Sequence, residues 1–241
     1  MQQYKHGRIL PTIPFTLVHP ALAAHYLNEG RSLVCLVRHG QTDWNTVKRL
    51  QGRQDIPLNE TGVAQAKMAA SLFSNIKRAG VSFTTVFSSP LSRASDTAVM
   101  IAKAIDLNEA VILDRLIERD YGSLSGLTLE ERKRDFPGGE RQAGNVESVP
   151  HTASRMLSAI DEMVDISGGT SVVAVTHGGI INSVFSRLTS GEIGTGKTLT
   201  VNCALSLIAA GIGEPIPLAY NLQNEGALSY LTKLKHHCSD I

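Results

Sequence analysis

Two apolar runs, residues 33–37 and 171–176, each deliver a histidine and a glycine at their carboxyl end: Arg38-His39-Gly40 after the first, His177-Gly178-Gly179 after the second. Runs of this length with no polar alternation suit strands buried on both faces. Such strands need layers above and below them, so helices should cover a central sheet on either side. The rest of the chain supplies them. Residues 63–78 carry Ala66, Ala69, Ala70, Phe73 and Ile76 at helical spacing and end at Gly80. Residues 84–87 read as a short strand. Ser88-Ser89-Pro90 then combines a serine cap with proline at the first helical position, opening a helix to about Ala104. Residues 111–113 suit another strand, 151–166 and 180–188 two more helices, and 201–209 and 217–222 two final strands joined by Gly211-Ile212-Gly213.

The fold class predicted is α/β: a single-domain three-layer sandwich over 32–241, with a mostly parallel central sheet and helices on both faces. Residues 116–150 form a glycine-rich, charged excursion with a helical piece at 129–135, and about 119–150 is read as an inserted substrate loop. Residues 1–31 are read as an N-terminal extension with a short helix over 21–27. In sheets of this kind ligands bind beyond the carboxyl ends of the strands, where His39 and His177 both emerge.

Charge narrows the function. The 241 residues hold 23 Lys and Arg against 22 Asp and Glu, a net charge of +1, which gives no general surface for nucleic acid or other polyanions. Any anion site must be local. Cys35, Cys203 and Cys238 lack metal-ligand spacing, and two of them sit in apolar segments, as expected of a reduced cytoplasmic protein. Residues 9–24 follow Lys5 and Arg8 and loosely resemble a secretory signal, but Pro11, Pro14, His19 and Pro20 interrupt the apolar core. No run reaches the roughly 18 to 20 apolar residues of a membrane helix. Residues 191–198, GEIGTGKT, match the spacing of a nucleotide phosphate-binding loop. That loop must follow a strand and open a helix, whereas here a helix precedes it and a strand-like segment follows.

Arg38 and His39 place a fixed cation beside an imidazole at one strand end, so an anion held there would face the histidine. Arg93 adds a second cation, near a helix N-terminus that itself favours anions. Arginine suits the task because its planar fork bonds two phosphate oxygens and stays charged.

The segments LVRHGQTDWN, QDIPLNETG, SSPLSRASDTA, IERDYGSLSG and VVAVTHGG occur in that order across about residues 33–222. Together they resemble the histidine phosphatase superfamily, the phosphoglycerate mutase-like family, on its phosphatase branch. The resemblance implies that His39 is a nucleophile forming a phosphohistidine, that Arg38 and Arg93 clamp the phosphoryl group, and that His177 donates hydrogen bonds to it. Glu118 is implied as the proton donor to the leaving oxygen and then the base for water, a role calling for a raised pKa. Thr42, Asn45, Tyr121 and Gly178 are implied as substrate contacts. No metal and no diffusible cofactor is implied.

The expected activity is that of a metal-independent phosphoric monoester hydrolase on a small phosphorylated metabolite, with no nucleic-acid or membrane partner and a homodimer left open. Glycolytic mutases carry a lysine shortly after the Tyr-Gly pair, where this chain has Thr128, Leu129 and Glu130. Their later paired arginines have no counterpart in 138–150. A cofactor-dependent phosphoglycerate mutase is therefore the weaker alternative. A non-catalytic phosphate-binding regulator and a protein phosphatase with a wider cleft are the others.

Overall fold

The computed structural model describes residues 11–238 and 241, with the backbone of β1 (Tyr4–Lys5) and β2 (Arg8–Ile9), which pair antiparallel. The rest of the expected extension before Pro11 lies outside the described residues. Elements follow in the order β3 (Phe15–Thr16), α1 (Pro20–Asn28), β4 (Ser32–Arg38), α2 (Asp43–Thr46), α3 (Glu60–Arg78), β5 (Thr85–Ser88) and α4 (Ser92–Ala104). Next come β6 (Val111–Ile112), α5 (Leu129–Asp135), α6 (Val149–Ile166), β7 (Val172–Thr176), α7 (Gly178–Leu188), β8 (Leu205–Ala210), β9 (Ile216–Leu222) and α8 (Asn224–His237).

The central sheet has seven strands in the order β3-β9-β8-β4-β7-β5-β6. β4, β7, β5 and β6 are parallel neighbours, as expected. Beyond β4 the pairing is antiparallel, through β8, β9 and β3. The short connection at Gly211-Ile212-Gly213 explains the antiparallel pairing of β8 with β9, because a parallel pair needs a crossover of a dozen or more residues and a hairpin does not.

β4 is apolar throughout because each face meets its own core. Leu33, Cys35 and Val37 pack with Phe73 and Ile76 of α3, Ala98 and Ile101 of α4, and residues of α1 and α8. Val34 and Leu36 pack with Met156 and Ile160 of α6 and Ile181 and Phe185 of α7. That is the three-layer arrangement. Residues 11–31 belong to it rather than trailing from it: Phe15–Thr16 pairs with β9, and α1 packs on α8. Ala227, Leu231 and Leu234 of α8 complete the first core. Among the described residues no helix is long and apolar enough to cross a membrane.

The stop of α7 at Leu188 leads into turns over 189–197, not into a helix, so GEIGTGKT lacks the context of a nucleotide loop. Instead Thr198 accepts the Gly194 N–H at 2.9 Å and donates to the Tyr220 hydroxyl at 3.0 Å, which pins the loop so that Leu199 and Thr200 reach the cleft beyond the sheet.

Leu36 is fully buried at the middle of β4. Its replacement by alanine should cost about 2–5 kcal/mol in urea denaturation, whereas Met68→Ala, at a side chain 58% exposed, should stay within about 0.5 kcal/mol. A Leu36→Ala loss no larger than that of Met68→Ala would contradict the two-core arrangement.

Candidate active site

The parallel pairing of β4 with β7 aligns Arg38 with Thr176, and the His39 N–H continues the ladder to the Thr176 carbonyl at 2.9 Å. The next residue on each strand is a histidine. Their rings lie 5.1 Å apart between centroids, at the sheet's carboxyl edge. A cleft of about 270 Å³ opens there, lined at its floor by Arg38, His39, Arg93, Glu118, Gly178 and Gly179.

The hydrogen bonds fix the state of each imidazole. His39 Nδ1 lies 2.6 Å from the Gly40 carbonyl, which can only accept, so Nδ1 carries the proton and Nε2 keeps its lone pair without a partner among the described residues. His177 is the reverse. Its Nε2 lies 2.7 Å from Ser89 Oγ, and that hydroxyl already accepts the Leu91 N–H at 3.3 Å. The Ser89 proton has no other acceptor among the described residues, so it goes to Nε2. His177 therefore carries its proton on Nδ1, a buried donor with no partner among the described residues. One histidine offers a lone pair and the other an N–H.

Both stay neutral. Burial, then the positive charges of Arg93 and Arg38, hold His39 well below the usual imidazole range. Burial first, then Arg93, His39 and Arg38, do the same for His177.

Arg93 is fully buried. Its two terminal amino groups donate to the carbonyls of Gln54 (2.7 Å) and Gly52 (2.9 Å), while Nε has no partner. Burial pushes its pKa down to about 10, against the opposing pull of Glu118 and Asp55. Arg38 donates to the Thr200 carbonyl and also leaves a buried Nε unpaired. Burial lowers its pKa too, opposed first by Glu118.

The helix bearing Arg93 starts later than the sequence suggested. Ser89 is not its cap: its hydroxyl accepts the N–H of Leu91, ahead of the helix, and donates to His177. α4 begins at Ser92 behind Leu91, which makes no side-chain capping bond. Asp55 takes over from another loop, accepting the Ser92 N–H at 2.8 Å and its hydroxyl at 2.7 Å.

Glu118 is 8% exposed and reaches the first turn of α7. Oε1 accepts the N–H groups of Arg119 (2.8 Å) and Ile180 (2.9 Å), and Oε2 accepts that of Gly179 (2.9 Å). Both lone-pair directions of Oε1 are thus occupied, and only Oε2 has room for a proton. Gly179 permits this contact: a Cβ there would lie 2.3 Å from the Tyr121 hydroxyl and 2.6 Å from Glu118 Oε1. Behind Glu118, Arg155 donates to the Ile117 carbonyl at 2.7 Å and holds both oxygens of Glu147 at 3.0 Å. Glu147 also meets Arg53 at 3.3 Å, tying the segment that carries Glu118 to the loop that cradles Arg93.

The remaining expected contacts divide. Asn45, Tyr121 and Gly178 line the cleft, and burial raises the Tyr121 phenol's pKa. Thr42 does not line it. It is fully buried and caps α2, where its N–H donates to Asn45 Oδ1 at 3.1 Å, so it positions Asn45. Gly40 likewise serves the fold rather than a ligand's approach, since a Cβ there would fall 2.5 Å from the Gly62 carbonyl. Trp44, Lys48, Arg49 and Arg132 join the cleft without having been anticipated. The adjacent basic pair Lys48-Arg49, beside the LVRHGQTDWN motif, was the available signal for two of them. Among the described residues no group of three or more His, Cys, Asp or Glu side chains is placed to hold a metal ion.

A sheet-edge cleft with one buried and one half-buried arginine, two neutral histidines and a carboxylate defines an α/β protein built to receive an oxyanion. The model of the histidine phosphatase superfamily, branch 1, matches residues 34–223, and the chain belongs to that family. It is 34% identical over 175 residues, 73% of this chain and 86% of the relative, to the uncharacterized phosphatase PhoE of Bacillus subtilis. A metal-independent phosphoserine phosphatase of Arabidopsis thaliana is 34% identical over 179 residues, 70% of this chain and 73% of its own. Among solved structures, a mycobacterial glucosyl-3-phosphoglycerate phosphatase in complex with VO3 superposes with a TM-score of 0.68 at 26% identity, covering 80% of this chain and 100% of that one.

The neutral histidines generate a measurable pH behaviour. The unfolded chain takes up protons on these imidazoles below about pH 6.5, and the folded chain does not, so their contribution to stability is flat above that pH and turns unfavourable as pH falls through it. In a proton NMR titration, the ring resonances of His39 and His177, assigned with glutamine variants, should not move between pH 8 and about 5.5. A midpoint near 6.5 for either would contradict the burial and charge described.

Proposed function

We propose that this protein is a metal-independent phosphatase that hydrolyses a small phosphomonoester through a phosphohistidine at His39. The observation that carries this reading is the open Nε2 lone pair of His39, held neutral beside the unpaired Nε edges of Arg38 and Arg93. A phosphoryl group seated between those edges would receive guanidinium hydrogen bonds, and the Nδ1–H of His177 would supply another. The relatives named as phosphatases, one of them in a complex with the oxyanion VO3, support the same class.

Nε2 of His39 attacks phosphorus as the ester P–O bond breaks, and the departing oxygen takes from Glu118 Oε2 a proton that the carboxylate gains as the phosphate dianion binds. Water then attacks the phosphohistidine. Glu118, now a carboxylate, accepts the water's proton, the P–N bond breaks, and inorganic phosphate leaves with His39 restored. The arginines neutralise charge throughout, while the Nδ1–H bond to Gly40 holds the ring in the reacting tautomer. Relatives named probable phosphoglycerate mutases support a second reading, in which an alcohol rather than water takes the phosphoryl group from His39.

His39→Ala should reduce phosphate release from p-nitrophenyl phosphate by at least about 1,000-fold, in line with loss of a covalent nucleophile. Retention of a tenth of wild-type turnover would remove His39 from the covalent step. Glu118→Gln should slow alkyl phosphates roughly 10- to 100-fold more than p-nitrophenyl phosphate, whose leaving group needs little protonation. Equal losses on both would deny Glu118 the role of acid. Parallel analysis of phosphoglycerates for isomer exchange separates the mutase reading, which requires exchange to outpace release.

A further inference from the structure

A carboxylate outside the cleft holds two arginines at once. The Glu147 side chain is 6% exposed, and neither it nor Arg53 nor Arg155 is among the residues that line the cleft. Oε1 accepts Arg155 Nε at 3.0 Å. Oε2 accepts a second Arg155 nitrogen at 3.0 Å, an Arg53 amino group at 3.3 Å and the Asp120 N–H at 3.0 Å. Removing its charge would leave Arg155, a side chain 14% exposed, with carbonyl partners alone. Each arginine leads to a different part of the active site. Arg53 lies between Gly52 and Gln54, and the carbonyls of those two neighbours grip Arg93 at 2.9 and 2.7 Å. One tripeptide thus turns two carbonyls toward the phosphoryl clamp and its middle side chain toward Glu147.

Arg155, on α6, leads to the acid. One of its amino groups donates to the carbonyls of Arg115 and Ile117, both at 2.7 Å, on the amino side of Glu118. On the carboxyl side, Arg119 Nε donates to the Glu147 carbonyl at 2.6 Å, and the Asp120 carbonyl accepts the Glu147 N–H at 2.8 Å. The backbone is therefore held on both sides of Glu118 while its carboxylate spans to α7. The two branches meet at the Glu118 carbonyl, which lies 3.5 Å from Arg53 Nε and 3.5 Å from an Arg155 amino group.

Resting on the phosphatase reading, we propose that Glu147 is a positioning residue that sets the phosphoryl clamp and the acid together, through Arg53 on one branch and Arg155 on the other. Neutralising it releases both arginines. The Gly52 and Gln54 carbonyls then lose their fixed place against Arg93, and Glu118 loses its fixed reach to the leaving oxygen. Misplacement of a reacting group by about 1 Å is enough to cost roughly 100-fold in rate.

Vanadate binding reads the clamp without any turnover. By calorimetry, Glu147→Gln should bind vanadate roughly 10-fold more weakly than the wild type, and Arg53→Met roughly 3- to 10-fold more weakly, with part recovered in Arg53→Lys. The double variant should stay within about 2-fold of Glu147→Gln, because both changes act through one ion pair. The leaving group reads the acid: in kcat, Glu147→Gln should slow glycerol 3-phosphate at least about 3-fold more than p-nitrophenyl phosphate. A fold merely weakened would slow both esters alike. Unchanged vanadate constants, losses that multiply in the double variant, or equal losses on the two esters would each overturn the proposal. Arg53 is 43% exposed, so if Glu147→Gln does not fold, Arg53→Met decides, and binding as tight as the wild type's overturns the proposal. A wild type that binds vanadate but hydrolyses neither ester would reject the phosphatase reading alone, and the vanadate constants then decide for or against Glu147. A wild type that binds no vanadate would overturn both.

Discussion

Two guanidinium groups, one fully buried and one half-buried, stand beside two imidazoles, and most of what the sheet edge does follows from that placement. Arg93 is fully buried and satisfied on one edge by the carbonyls of Gly52 and Gln54. Arg38 is tied to Thr200, and each leaves a buried Nε unpaired. Desolvated cations of this kind are costly, and Glu118 is the carboxylate that interacts with both. Its charge offsets only part of theirs. Neither histidine can share the positive charge, so both stay neutral, and an oxyanion becomes the natural occupant. The open lone pair of His39, the N–H of His177 and the pull on an anion are thus one electrostatic arrangement rather than separate inventions.

The backbone makes that arrangement possible at little conformational cost. β4 and β7 pair in parallel, so two strand ends arrive side by side. Their apolar runs were readable because each face of β4 meets a separate core, leaving no polar alternation. Strand direction beyond β4 was less legible. Hydropathy does not record direction, and only the short connection after β8 hinted at a hairpin. α8 escaped notice because its start at Gln223 offers no side-chain cap and its last turn is Lys235-His236-His237, which reads as solvated charge. The start of α4 was misplaced for a different reason. Ser89 carries the signature of a cap but spends its hydroxyl on His177, and a carboxylate from a distant loop caps the helix instead.

The same distinction runs through the cleft. His39, His177, Arg38, Arg93 and Glu118 sit at strand ends or in short motifs, where residue type and neighbours declare a chemistry. The groups that tune them act through carbonyls and contacts that sequence does not record: Gly40 fixing a tautomer, Gly52 and Gln54 gripping Arg93, Glu147 joining Arg53 to Arg155. Thr42 looked like a contact because it lies within the motif, yet its work is to cap α2 and set Asn45. Arg132 was invisible in LEERKRD, a stretch in which every charge looks exposed until the helix is placed against the cleft.

The account's central claim is that the neutral Nε2 of His39 becomes bonded to phosphorus. Rapid mixing with a phosphomonoester, quenching in base to preserve phosphoramidates, and mass spectrometry of the peptides should find one phosphoryl group on the peptide carrying His39, at its Nε2. It should be lost in acid and absent from the His39→Ala protein. A phosphoryl group on His177, or full turnover with no base-stable adduct at any time in the first cycle, would contradict the account.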